Sequence, residues 1–131
     1  MGYLKHAHKG FEIDQPGKDS YRIRRTGVLQ TIVAGSGQVA VIDDADAEPA
    51  LDDVIARYAR EDLDVLVVEG FKRSALPKIE VARAAVSREL VCGGDPDLIA
   101  VVCDFEPPPG VRHFGLDDAG GVAALVASRV R

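Results

Sequence analysis

The chain has 131 residues, 47% of them hydrophobic and 28% charged, with a formal net charge of -5; these proportions exclude a disordered chain, and the acidity argues against a general nucleic-acid footprint. No apolar run reaches the roughly 20 residues that a membrane-spanning helix needs, and the first ten lack a signal-peptide core. The expectation is one cytosolic domain spanning 1–131, with no membrane or nucleic-acid partner, and with Cys92 and Cys103 as buried, reduced thiols.

Gly2 to Lys9 opens as a short strand that turns polar at its carboxyl end. In an extended chain His6 and His8 point the same way, toward a metal or a phosphate. A zinc site needs further ligands, and the other histidine, His113, is far along the chain. The next segment, from Phe11, breaks at Pro16-Gly17, after which Asp19 or Ser20 caps a two-turn helix that Gly27 ends. Gly17-Lys18 lacks the spaced first glycine and the following Ser or Thr of a Walker A loop. Its lysine and helix start read either as an anion site or as an ordinary capped helix.

Leu29–Ala34 and Gln38–Ile42 are β-branched runs joined by Gly35-Ser36-Gly37, a hairpin or tight connection. Asp43 to Pro49 reads as a solvated acidic loop. A helix from about Ala50 to Arg60 follows, with Leu51, Val54, Ile55 and Tyr58 on its core face.

Val65 to Val68 reads as a strand buried on both faces. At its carboxyl end, where open α/β sheets bind ligands, stand Glu69, Gly70, Phe71 and Lys72. An apolar run ending in an acid is how a Walker B strand presents a carboxylate to nucleotide-bound magnesium, and also how a buried strand meets solvent. Lys78 to Arg83 alternates, placing Ile79 and Val81 on one face of a half-buried strand. Ala84–Leu90 tolerates a helix, and Cys92–Pro96 is a loop. Leu98–Asp104 is a second apolar strand ending in an acid, Pro107 to Pro109 make an extended connector, and Leu116-Asp117-Asp118 cap a last helix with Val122, Leu125, Val126 and Val130 on one face. Strands alternating with helices select a layered α/β fold with a largely parallel sheet, whose ligand edge collects Lys5, His6, Glu69, Gly70, Lys72 and Asp104.

Leu4-Lys5-His6-Ala7-His8, Asp14-Gln15-Pro16-Gly17-Lys18-Asp19-Ser20-Tyr21-Arg22, Gln30-Thr31-Ile32-Val33-Ala34, Val68-Glu69-Gly70-Phe71-Lys72 and Pro77-Lys78-Ile79-Glu80-Val81 occur in the order and spacing of a known family. Over essentially its whole length the chain resembles the molybdopterin-guanine dinucleotide biosynthesis protein B (MobB) family. The resemblance implies a three-layer P-loop NTPase-like fold with a mostly parallel sheet. It also implies a GTP-binding, weakly GTP-hydrolysing homodimer that assists the protein A guanylyltransferase in attaching GMP to molybdopterin. By the same resemblance, Lys5, His6, His8, Asp14, Lys18, Asp19, Ser20, Arg22, Gly70 and Lys72 lie near the nucleotide or cofactor. Glu69 is then the catalytic acid and the magnesium ligand when nucleotide binds, with GTP, magnesium and molybdopterin as the ligands.

Family members carry a strand, a glycine-rich Walker A loop and a helix before the segment that matches Gly2, and this sequence lacks them. The expectation is an adaptor with impaired nucleotide binding and weak or absent GTPase activity of its own. The alternative is a nucleotide-independent interaction module that dimerises or docks on the guanylyltransferase.

Overall fold

A computed structural model describes residues 1–130. In chain order the elements are β1 (Gly2–Lys5), α1 (Asp19–Arg24), β2 (Gln30–Gly35), β3 (Gln38–Asp43), α2 (Leu51–Tyr58), β4 (Leu66–Glu69), β5 (Lys78–Ala82), β6 (Leu98–Cys103), β7 (His113–Phe114) and α3 (Ala119–Ala127). They gather into two compact units, one of Met1–Leu4 with the chain from Arg60 onward, the other of Lys5–Ala59.

In the first unit β6 lies between β5 and β7, parallel to both. Its apolar run explains its place, since Ala100, Val101, Val102 and Cys103 are all buried, as a strand covered on both faces requires. Ala100, Val102, Phe114 and Leu125 form the core, with Ile79, Ile99, Leu116 and Val122 packed around them. α3 begins where Asp118 accepts a hydrogen bond from the backbone N–H of Gly121 (2.8 Å), an N-cap that satisfies an otherwise orphaned donor. Gly121 is small for a reason: a Cβ there would lie 2.8 Å from the Phe114 ring. Val130 falls outside α3 and is 37% exposed, so it does not share the core face expected of it.

Two further expectations are corrected in this unit, and one alternative left open is decided. β4 is not covered on both faces: among the described residues it hydrogen-bonds to β1 alone, and Val67 is 42% exposed. In β5 Ile79 packs against the core as expected, but Val81 does not share its burial. Val81 is 66% exposed, while the half-buried Glu80 accepts the N–H groups of Val91 (2.6 Å) and Cys92 (2.8 Å) on its carboxylate. Finally, 84–90 forms turns and no helix. There Ser87 Oγ accepts the Glu89 N–H (3.0 Å) and Asp104 accepts that of Ala84 (2.7 Å), so local side chains capture donors that a helix would need.

In the second unit β2 and β3 pair antiparallel from Gln30↔Asp43 to Gly35↔Gln38, closed by Ser36-Gly37, both with positive φ (51° and 76°). That is a two-residue turn of the mirror-image type whose twist suits a hairpin. α2 buries Leu51 and half-buries Val54 and Ile55, as its spacing predicts, but Tyr58, expected on the same core face, is 46% exposed, its hydroxyl donating to Asp43. Among the described residues no helix is long and apolar enough to cross a membrane.

Candidate functional site

Glu69 ends β4 with its side chain exposed, and the Tyr3 hydroxyl on β1 donates to Glu69 Oε2. β1 is held against this region by the Gly2 N–H, which donates to Val65 O (2.8 Å), and by close approach: a Cβ on Gly2 would lie 2.6 Å from Leu63 Cδ1. After Glu69 the chain turns sharply through two left-handed residues, Gly70 (φ 91°) and Phe71 (φ 47°). A phenylalanine there is uncommon, and the turn is closed by the Ser74 N–H donating to Phe71 O (2.8 Å). Lys72 is exposed within this turn. Asp104, at the end of β6, is occupied with the Ala84 N–H.

The second unit holds the remaining residues expected at a site. Lys5 closes β1 with an exposed side chain. The rings of His6 and His8 meet edge to face with centroids 4.1 Å apart, and His6 Nε2 pairs with Glu48. Asp14 and Ser20 are brought together: Asp14 Oδ1 accepts from Ser20 Oγ (3.0 Å) and from the Gln15 N–H (2.9 Å), whereas Asp14 Oδ2 is buried with no hydrogen-bond partner. Between them Pro16-Gly17 forms a type II turn, with Gly17 at φ 90° and the Lys18 N–H donating to Gln15 O (3.2 Å).

This geometry corrects the expected cap. Lys18 is the N-cap residue and contributes no side-chain cap bond; Asp19 lies exposed in the first turn and Ser20 is committed to Asp14. α1 is only six residues long, too short to offer an anion much of a dipole. Arg22 is exposed in its last turn.

The acidic loop is more engaged than a solvated loop. Asp44 and Glu12 bracket Arg24 (3.3 and 2.9 Å), and the guanidinium pKa is raised, chiefly by the Asp44 hydrogen bond. Arg25 Nη2 donates to the Tyr21 hydroxyl (2.7 Å), with its guanidinium 5.1 Å from that ring's centre. These five residues line a shallow cleft of about 210 Å³. Asp43 takes hydrogen bonds from Tyr58 and from Arg57 Nη1 (3.0 Å), and the Tyr58 bond is the main reason its pKa is lowered. Sequence reasoning missed Tyr3, Glu12 and Glu48 because each acts on a residue distant along the chain. Among the described residues no group of three or more His, Cys, Asp or Glu side chains is placed to hold a metal.

The sequence matches the family model for molybdopterin guanine dinucleotide synthesis protein B over residues 1–104. The chain belongs to the MobB family. It is 35% identical to the molybdopterin-guanine dinucleotide biosynthesis adapter protein of Escherichia coli (strain K12), a match covering 95% of this chain and 73% of that protein. With the adapter protein of Haemophilus influenzae the identity is 32%, over 69% of this chain and 51% of the relative. A crystal structure of MobB superposes with a TM-score of 0.72 at 23% identity, covering 97% of this chain and 78% of that one. Bacillus subtilis MobB gives 0.71 at 26%, covering 99% and 79%. The chain therefore has the α/β fold of MobB, which is P-loop NTPase-like, and its curated relatives are adapters of molybdopterin-guanine dinucleotide biosynthesis.

Proposed function

We propose that this chain is a cytoplasmic adapter that serves a guanylyltransferase during molybdopterin-guanine dinucleotide synthesis, with Glu69 as the carboxylate that faces nucleotide-bound magnesium. The observation that carries the reading is the exposed Glu69 at the carboxyl end of β4, followed by the left-handed Gly70-Phe71 turn, in a chain whose relatives are named as adapters of this pathway. Magnesium is commonly held by one or two carboxylates together with substrate phosphates, and a single exposed carboxylate suits that division of labour better than a protein-only cage. Magnesium supplies charge neutralisation at the phosphates; Glu69 supplies one fixed anionic oxygen.

An exposed cation stands beside it in the same unit, Lys72 in the turn that follows Glu69. Lys72 suits the phosphates of GTP or of a molybdopterin ligand; in the second unit the Pro16-Gly17 turn, where proline has no N–H, does not supply the successive donors of a glycine-rich loop. The chain alone therefore binds GTP weakly and hydrolyses it poorly.

A second reading, a nucleotide-independent interaction module, is favoured by one observation. On the β2–β3 hairpin Ile32 is 60% exposed, Val33 45%, Val39 68% and Val41 42%, and no charge interrupts 30–42. A second copy of the same neutral hairpin would cover this surface without like-charge repulsion, which supports a homodimer.

The two readings separate in an assay of dinucleotide formation by the guanylyltransferase with molybdopterin and Mg-GTP. The adapter raises the yield, and Glu69→Gln removes most of that gain while leaving dimerisation intact. Full stimulation by Glu69→Gln would favour the interaction module instead.

A further inference from the structure

We infer that Lys78 is a positioning residue for the turn that carries Lys72, its ammonium tying that turn to the 92–97 loop; the consequence for phosphate binding rests on the functional reading above. The Lys78 side chain is only 11% exposed, and an ammonium has three N–H donors to place. Ser74 O accepts at 2.5 Å and Leu76 O at 3.3 Å, while the Asp95 carboxylate stands at 3.1 Å and Asp97 adds its charge at 3.8 Å. Two of these acceptors are backbone carbonyls of the turn, so the contact is more than an ion pair.

Both ends of this tie are held. Lys78 opens β5, where its backbone N–H donates to Asp97 O (2.7 Å). Asp95 is fixed within its own loop, its Oδ1 accepting the Asp97 N–H (2.9 Å) and its N–H donating to Cys92 O (3.0 Å). The turn has the Ser74 N–H on Phe71 O (2.8 Å) to close it, and Pro77 has no N–H to add. Lys72 lies within electrostatic reach of the same loop: burial, then Glu80 and Asp95, push the Cys92 thiol up, and the charges of Lys78 and Lys72 act on it in the opposite sense. Removing the Lys78 amine leaves two turn carbonyls and Asp95 without their common donor and frees the backbone that aims Lys72. Lys78, nearly buried, acts through Lys72 and not on a ligand.

Lys78→Met keeps the length of the side chain and removes its donors, and amide hydrogen exchange in the full chain, read residue by residue by NMR, reports the result directly. The Ser74 amide exchanges about tenfold faster in Lys78→Met, while the amides of β6 keep their rates. Asp95→Asn, which retains an oxygen for the Asp97 N–H and loses the charge that draws the ammonium, gives a smaller rise at Ser74, and it carries the test if Lys78→Met does not fold. A Ser74 amide that does not change, or an equal rise throughout β6, overturns the assignment, whatever the nucleotide does.

Affinity for Mg-GTP supplies the second arm. Lys78→Met weakens binding severalfold, and it adds little further loss in a Lys72→Met background, whereas a residue that merely stabilised the fold would cost the same in both. Tighter binding by Lys78→Met, or an equal loss in both backgrounds, also overturns the inference. Faster Ser74 exchange in a protein that takes up no Mg-GTP leaves Lys78 as the residue that positions the turn and removes the phosphate role of Lys72 instead.

Discussion

Glu80 illustrates how one side chain can fix a loop that has no regular structure. Its two carboxylate oxygens take the N–H groups of Val91 (2.6 Å) and Cys92 (2.8 Å), so Glu80→Ala strands two donors and should destabilise the fold by about 1–3 kcal/mol in chemical denaturation. Glu80→Gln, which retains one acceptor, should cost less. Nearby, Lys78 Nζ pairs with Asp95 (3.1 Å), and Asp95 has its pKa lowered, first by the Asp97 N–H and then by Lys78. Asp43 is lowered likewise, first by Tyr58 and then by Arg57. Both folded carboxyls titrate below the ordinary value of 3.8, so the stability they give is present above that pH and lost as the pH falls through their folded values. The melting temperature should hold through the neutral range and drop below about pH 4, and Asp43→Asn should flatten that drop. An acid limb unchanged by Asp43→Asn would show that the Tyr58 and Arg57 contacts contribute nothing to it.

At the scale of elements, α3 depends on a residue without a side chain. Gly121→Ala would set a methyl 2.8 Å from the Phe114 ring and 2.5 Å from the Asp118 cap. The expected loss is about 1–3 kcal/mol from crowding, offset by up to about 1 kcal/mol of helix propensity, so the melting temperature should fall; a rise would mean that Phe114 yields freely. β6 and α3 were legible in the sequence because their signals are local: a continuous apolar run, and an aspartate just before a helix. The exposure of β4 was not legible, since it depends on which strand becomes its neighbour. Nor was the engagement of Asp43, Asp44 and Glu48, whose partners Tyr58, Arg24 and His6 lie on other elements. In the candidate site, an acid and a glycine closing an apolar run marked Glu69 and Gly70 in advance. Tyr3 carried no such mark, for nothing in the sequence ties a strand tyrosine to a carboxylate 66 positions later.

At the scale of the whole molecule, we propose that this member of the MobB family self-associates through its neutral apolar hairpin and offers the exposed Glu69 carboxylate to nucleotide-bound magnesium. Ile32 and Val41 stand opposite each other on that hairpin. Ile32→Asp should therefore convert a dimer to a monomer in sedimentation while leaving the fold intact, and a variant that still sediments as a dimer would place the interface elsewhere. The claim on which the functional account depends is that Glu69 faces a magnesium-bound guanine nucleotide. Calorimetric titration of the full chain with GTP, with and without magnesium, tests it most directly. The account predicts weak, magnesium-dependent heat and a roughly tenfold loss of affinity, about 1.4 kcal/mol, in Glu69→Gln. Absence of heat above buffer, or binding indifferent to both magnesium and Glu69→Gln, would contradict it.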